Sequence, residues 1–342
     1  MKAAVIHAPH DLRVEEFDPG VMGPSDVTIR VGAGGICGSD LHYFHQGGFG
    51  AIRIREPMVL GHEIAGVVQS VGALVSHVKP GDVVAVNPSL PCGVCKFCLG
   101  GQSNHCLDMR FFGSAMRFPH VQGGFREVLV CEGARAVPAA VMVERAAFAE
   151  PLSVCLHAAR QAGPLLGARV LVTGAGPIGA LCAMVARHAG AREVVVTDVL
   201  DAPLAVLRRV GADLAFNTRE NPEALAPFAV DKGYFDVVFE CSGAGPALAS
   251  AIGVARPGAV IVQVGIGGGD VLVPLNVLVA KEISLRGTFR FHEEFAWAVR
   301  FLESGAIDVA PLLTEIVPLA EAQRAFEMAG DRGVAMKVLL GF

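Results

Sequence analysis

Cys92, Cys95, Cys98 and Cys106 crowd one short segment with the spacing Cys-x2-Cys-x2-Cys-x7-Cys. Four thiolates at that spacing reach a single ion and leave it no open coordination position, which describes a structural tetrahedral zinc. An iron–sulfur cluster is the rival, because two Cys-x2-Cys steps in a row also open bacterial ferredoxin motifs. In those the fourth spacing is shorter and a proline follows the last cysteine. Here Leu107 follows Cys106. The lobe, about residues 88–110, therefore reads as a folding staple with no chemistry of its own.

A second set has mixed donors. Cys37 lies in Gly34-Gly35-Ile36-Cys37-Gly38-Ser39-Asp40-Leu41-His42, followed by Gly61-His62-Glu63 and, much later, Phe148-Ala149-Glu150-Pro151. Thiolate, imidazole and carboxylate all bind zinc, and a mixed set completed by one water is the pattern of an open, reactive site. Taken singly, each residue has an ordinary reading: Cys37 a small buried hydrophobe, His62 a hydrogen-bonded core histidine, Glu63 or Glu150 a surface charge.

The third signal is Gly174-Ala175-Gly176-Pro177-Ile178-Gly179, a Gly-x-Gly-x-x-Gly run between an apolar strand pattern and a helix pattern. Alone the motif is weak; in that context it is a dinucleotide fingerprint. Gly174 permits the tight turn, Gly176 lets a pyrophosphate approach the backbone, and Gly179 lets the helix pack closely. Asp198, ending Val194-Val195-Val196-Thr197-Asp198, stands at the distance expected of a carboxylate that accepts from ribose hydroxyls. Val199 follows with no adjacent arginine, which favours NAD, while Arg208 and Arg209 a helix away keep NADP open. Val264-Gly265-Ile266, leading into Gly267-Gly268-Gly269 after another strand, reads as a second glycine turn near the nicotinamide; a simple loop is the alternative.

The elements that must position these groups fall into two styles. A length of 342 residues favours two domains, and 52% hydrophobic residues against 18% charged describes packed cores. Residues 1–145 read as short strands cut by glycine and proline, such as Val27–Val31, Ile64–Val71 and Val83–Val86, with little helical periodicity. A small β-barrel-like domain is expected there. Residues 146–286 alternate strand and helix: strands at 170–172, 194–196, 212–215, 235–239 and 260–264, helices at 177–189, 202–210 and 247–255. Uniformly apolar strands in that alternation predict an α/β, doubly wound parallel sheet. Residues 287–342, with helices at 292–303 and 319–329 and a strand at 335–340, suit a return of the chain to the first domain.

Composition excludes several classes. A net charge of −5 gives no basic field for nucleic acid or anionic lipid. The mean hydropathy of +0.50 is explained by a strand, a glycine turn and a helix around Val170–Ala186 better than by a membrane span. The N-terminal residues have no signal-peptide pattern, and the nine cysteines cluster as metal ligands do in a reducing compartment. The expectation is a cytoplasmic protein with a small-molecule substrate, without nucleic-acid or membrane partners.

Together the cysteine lobe, the Cys37 and His62-Glu63 segments, Glu150-Pro151 and the fingerprint resemble the zinc-containing medium-chain dehydrogenases, which include alcohol, sorbitol and threonine dehydrogenases. The resemblance spans essentially the whole chain. It implies a GroES-like β-barrel catalytic domain plus a Rossmann domain, a catalytic and a structural Zn2+, NAD or NADP, and a homodimer or homotetramer. It assigns Cys37 and His62 to the catalytic zinc, with Glu63 binding directly or by exchange and Glu150 as ligand or across a water. By the same resemblance Asp40 fixes the His62 tautomer, although a turn cap is its ordinary reading, and Ser39 and His42 look like a proton relay. Alcohol dehydrogenases carry cysteine where this chain has Glu150, which points to polyols and sugar acids. Segments 87–92, 108–116, 232–236 and 281–287 extend the likeness to members acting on aldonates. They imply reversible oxidation of L-idonate to 5-keto-D-gluconate, with sorbitol or xylitol the alternative substrates and a catalytically silent NAD-binding relative the rival of a different class. An aldonate carboxylate needs a cation; Arg110 and Arg290 rank first among Arg110, Arg117, His120 and Arg290, each also readable as a surface ion pair.

Overall fold

The structure, a computed structural model, describes all residues from Met1 to Phe342. The chain divides into two units. The first comprises Met1–Pro151, His292–Asp331 and Lys337–Phe342, and the second Leu152–Phe291 with the short piece Arg332–Met336.

The first unit is built on a seven-stranded sheet. Its main path runs Ala136–Pro138, Val83–Val86, Glu63–Val71, Asp26–Gly35, Lys337–Gly341 and Leu313–Pro318, and Val128–Glu132 also pairs with Asp26–Gly35. All pairings are antiparallel except the last, Leu313–Pro318 with Lys337–Gly341. Asp26–Gly35 is the long central strand because its β-branched residues alternate: Val27, Ile29, Val31 and Ala33 are buried on one face. Its register with Glu63–Val71 shifts twice, between Thr28 and Ile29 and between Val31 and Ala33. Each irregularity adds local twist, which curls the sheet and turns the C-terminal end of the strand toward the next element.

That element corrects the expectation of a nearly helix-free first third. Gly38–Gln46 is an α-helix of nine residues with Cys37 at its N-cap, closed at Gly47 in the left-handed conformation. Asp40 makes the helix start: its carboxylate accepts the Cys37 N–H at 3.0 Å, satisfying a donor that the helix leaves orphaned. A second helix, Ala149–Ala162, was equally unmarked by periodicity and carries Glu150 in its first turn.

The second unit is a six-stranded, wholly parallel sheet in the order Leu214–Asn217, Glu193–Asp198, Arg169–Thr173, Phe235–Glu240, Ala255–Gln263 and Ser284–Gly287. The inner strands are apolar on both faces because helices cover both. Leu171, Val195, Phe235, Val238, Ile252 and Ile261 meet in one core cluster. From Arg169–Thr173 the chain goes to its neighbour on one side and later to Phe235–Glu240 on the other, so the crevice at the end of that strand is a topological switch point. The predicted helix at 177–189 is Pro177–His188, and the predicted final strand at 335–340 is Lys337–Gly341 in the first unit.

Candidate functional site

Two adjacent strands and one helix assemble the mixed-donor set. Gly35 ends the central strand opposite Glu63, so Cys37, two residues on, arrives beside His62 and Glu63. A side chain at Gly35 would collide with the Glu63 carboxylate, its Cβ lying 2.0 Å from Oε2. The Sγ of Cys37, a ring nitrogen of His62 and a carboxylate oxygen of Glu63 lie within 4.8 Å of one another. His62 and Glu63 are buried, and the Phe111 ring stands 5.5 Å from the imidazole.

Asp40, fully buried, organises this group from behind. Besides the Cys37 N–H it accepts the Gly61 N–H at 3.3 Å, and its Oδ1 lies 3.7 Å from His62 Nδ1. Burial raises its pKa, and the facing imidazole opposes that rise. Ser39 and His42 sit three residues apart on the helix, on the same side, both partly exposed, with the His42 ring 5.8 Å from Phe49.

Glu150 lies within electrostatic range of the set, outside the three donors that converge. It is buried, and its charge is felt by His62, Glu63, Cys37 and Lys337; burial pushes it up to about 8, against the pull of His62. Burial likewise pushes the Cys37 thiol up to about 11, reinforced by Glu63. Lys337 was not anticipated. It is 3% exposed, ion-paired to Glu63, and donates from Nζ to the Ile36 carbonyl at 2.9 Å. Burial alone would lower its pKa, and Glu63 and Cys37 outweigh that and raise it. A single lysine in the apolar run Val338-Leu339-Leu340 was the available signal.

This donor set fits a divalent cation. Three carboxylates and a thiol share the buried pocket with one lysine and one imidazole, an excess of acceptors that a dication offsets. The cysteine lobe fits one too: the four sulfurs of Cys92, Cys95, Cys98 and Cys106 lie within 4.8 Å of one another. Backbone N–H groups of Cys92 and Asp108 donate to Cys106 Sγ at 3.2 and 3.3 Å. Bonds from the Leu107 and Cys98 backbones hold the Cys95 thiol down at about 6.

The fingerprint occupies the switch point. Gly174 has φ +89°, and its missing Cβ would meet the Ser242 backbone nitrogen at 2.8 Å; a Cβ on Gly179 would lie 1.8 Å from the Gly174 carbonyl oxygen. Gly176 is the N-cap of the helix, faces open space and brings no capping side chain, with Pro177 opening the helix and Ile178 following. A helix N-terminus that no side chain caps, facing open space, suits an anionic group. Val264 and Gly265 both donate to the Glu240 carbonyl at 2.8 Å, so their turn abuts the end of the fingerprint's neighbour strand, with Ile266 exposed. Glu240, missed in the sequence, is fully buried and accepts from Thr173 Oγ1, the Ser242 and Gly243 N–H groups and Gln263 Nε2. Asp198 is buried at the end of its strand and accepts the Ala175 N–H at 2.7 Å.

The two arginines ranked for substrate stand differently. Arg110 is exposed on the two-residue strand Arg110–Phe111, where alternation gives Phe111, not Arg110, the side facing His62. Arg290 belongs to the second unit, with φ +56° and its guanidinium 4.9 Å from the Phe289 ring centre.

Known proteins match over the whole length. The family described as alcohol dehydrogenase GroES-like domain matches residues 23–141, and zinc-binding dehydrogenase matches residues 177–304. The chain is 45% identical over 316 residues to L-idonate 5-dehydrogenase (NAD(P)(+)) of Escherichia coli K12, covering 92% of this chain and 91% of that protein. It is 37% identical to sorbitol dehydrogenase of Macaca fascicularis, covering 98% and 94%. The crystal structure of the Escherichia coli L-idonate 5-dehydrogenase superposes with a TM-score of 0.94 at 42% identity, over 100% of this chain and 98% of that one. With a GroES-like unit carrying the mixed metal set and the cysteine lobe, and a Rossmann unit carrying the fingerprint, the chain belongs to the zinc-containing medium-chain dehydrogenases, NAD(P)-linked oxidoreductases.

Proposed function

We propose that the chain catalyses the reversible NAD(P)-linked oxidation of L-idonate to 5-keto-D-gluconate. The observation that carries the reading is the convergence of Cys37, His62 and Glu63, with the buried Glu150 within electrostatic range of them, in a chain 45% identical to an L-idonate 5-dehydrogenase. Cys37, His62 and Glu63, with Glu150 as ligand or across a water, would hold the catalytic zinc, and Cys92, Cys95, Cys98 and Cys106 the structural one. The ion held there would supply Lewis acidity toward the substrate hydroxyl. Asp40 orients His62 so that the ring nitrogen facing the set is the free one. Ser39 and His42 accept and pass on the proton that the substrate hydroxyl releases. Gly174, Gly176, Pro177, Ile178 and Gly179 cradle the pyrophosphate, Asp198 receives the adenosine ribose, and Val264, Gly265 and Ile266 border the nicotinamide, which supplies the hydride acceptor. Of the two guanidinium groups ranked for the aldonate carboxylate, Arg290 is the one proposed, since Arg110 lies on the exposed side of its strand.

The identity to sorbitol dehydrogenase supports a second reading, a neutral-polyol dehydrogenase. Assaying 5-keto-D-gluconate reduction with NADH and NADPH beside sorbitol and xylitol oxidation separates the two. A kcat/KM for 5-ketogluconate well above that for either polyol supports the aldonate, and the reverse order supports the polyol.

We also propose a homodimer or homotetramer. The edge strand Ser284–Gly287 is exposed along its whole length, Leu285 included, and Leu272, Leu275 and Val279 of the same unit are exposed as well. An open sheet edge invites pairing with a second copy. No helix is long and apolar enough to cross a membrane, and we propose a cytoplasmic setting on the strength of the reduced, metal-patterned cysteines.

A further inference from the structure

Asp198 is the carboxylate that, on the reading above, faces the adenosine ribose, and its acceptor capacity is already full. Oδ1 accepts the Val199 and Leu200 N–H groups at 2.7 and 3.1 Å, and Oδ2 accepts the Ala175 N–H at 2.7 Å and the Arg332 guanidinium at 2.5 Å. Three of these four donors are backbone groups fixed by the strand end and the fingerprint turn. The fourth is a side chain that is 48% exposed, while the carboxylate it holds is 2% exposed. Arg332 comes from Arg332–Met336, the only piece of the C-terminal region that packs with the second unit. No spacing rule ties it to the fingerprint.

A buried carboxylate at this position ordinarily repels a ribose 2′-phosphate and so selects NAD. Here it is half of an ion pair. Arg208, on the helix that follows the Asp198 strand, donates to the Ala215 carbonyl at 2.9 Å. We propose that Arg332 is the residue that sets cofactor specificity, by neutralising Asp198 and presenting a half-exposed guanidinium to the 2′ position, so that the protein accepts NADPH as well as NADH. With NADH, the ribose hydroxyls take the place of Arg332 on Asp198. With NADPH, the planar fork of the guanidinium takes the phosphate oxygens in pairs while remaining beside the carboxylate.

The inference rests on the proposed position of the ribose, and a binding measurement without substrate separates the two. Dissociation constants for NADH and NADPH are measured by calorimetry on the wild-type protein and on Arg332→Ala and Arg332→Lys. The wild type is expected to bind both, with NADPH losing affinity more steeply than NADH as salt is raised. In Arg332→Ala the ratio Kd(NADPH)/Kd(NADH) should rise at least tenfold, with Arg332→Lys between the two because it keeps the charge but not the fork. A wild type that binds NADH and binds NADPH more than a hundredfold more weakly overturns the inference alone. So does a ratio that stays within twofold, or a parallel loss of both affinities, which is the mark of a merely structural arginine. Should Arg332→Ala fail to fold, the Arg332→Lys ratio decides. A wild type that binds neither dinucleotide overturns the ribose assignment as well.

Discussion

Replacing Asp40 by Asn tests the reasoning about the metal set at its most buried point. The carboxylate serves three neighbours at once: the Cys37 N–H at 3.0 Å, the Gly61 N–H at 3.3 Å and the His62 ring at 3.7 Å. A carboxamide has one acceptor oxygen, so at least one of these donors is left facing an NH2 group. An unmatched buried donor costs about 1–3 kcal/mol, and losing a partner behind a ligating histidine costs metal affinity about 10–100-fold. Asp40→Asn should therefore release one of two zinc ions at a 10–100-fold lower chelator concentration than wild type. The second ion, in the cysteine lobe, should be unaffected because none of its ligands touches Asp40. Circular dichroism checks that the fold survives, and a competition titration against a chromophoric chelator reads the affinity. A variant that holds both ions within threefold of the wild-type affinity would refute the role assigned to Asp40.

Other substitutions probe the rest. Gly179→Ala drives a Cβ to 1.8 Å from the Gly174 carbonyl, so dinucleotide affinity should fall at least tenfold, which NADH fluorescence reads, while zinc content stays at about two per chain. Cys95→Ala removes one of four sulfurs from the lobe; zinc should fall to about one per chain and the thermal midpoint should drop by at least several degrees, as scanning calorimetry would record. Asp236 gives a pH prediction: burial alone pushes its pKa up, and bonds from Arg169 and Arg256 outweigh it and hold it at about 2. A depressed carboxylate stabilises the fold above its unfolded pKa and loses that contribution as pH falls from about 4 through about 2. Asp236→Asn should thus cost about 1–2 kcal/mol at pH 7, solvent screening included. The difference in urea midpoints should narrow by pH 3; a gap of constant width would count against the ion pairs.

Patterns carried by types and local spacing were legible in the sequence. The four cysteines announce a converging sulfur cluster because all lie on one short segment, and the apolar triplets Val170-Leu171-Val172 and Val194-Val195-Val196 announce buried parallel strands. The helix Gly38–Gln46 was not legible, since its N-cap is a cysteine and its buried face is Asp40, Tyr43 and Phe44, with no long apolar stripe. Helix start and proposed metal ligand are the same residue there, Cys37. Lys337 and Arg332 were missed for a different reason. Each finds its carboxylate across a long stretch of chain, Glu63 for one and Asp198 for the other, and no periodicity links such positions. Arg110 shows the converse: its type suits an aldonate, but strand alternation turns Phe111 toward His62 and leaves Arg110 on the exposed side.

The central claim is that turnover depends on the Cys37, His62 and Glu63 centre while the cysteine lobe serves only the fold. It is tested most directly by measuring zinc content and 5-keto-D-gluconate reduction side by side in wild type and Cys37→Ala. Zinc should fall from about two ions per chain to about one, with turnover reduced by at least about a thousandfold and the fold intact. Near-normal turnover in Cys37→Ala, or loss of the lobe's ion in place of the catalytic one, would contradict it.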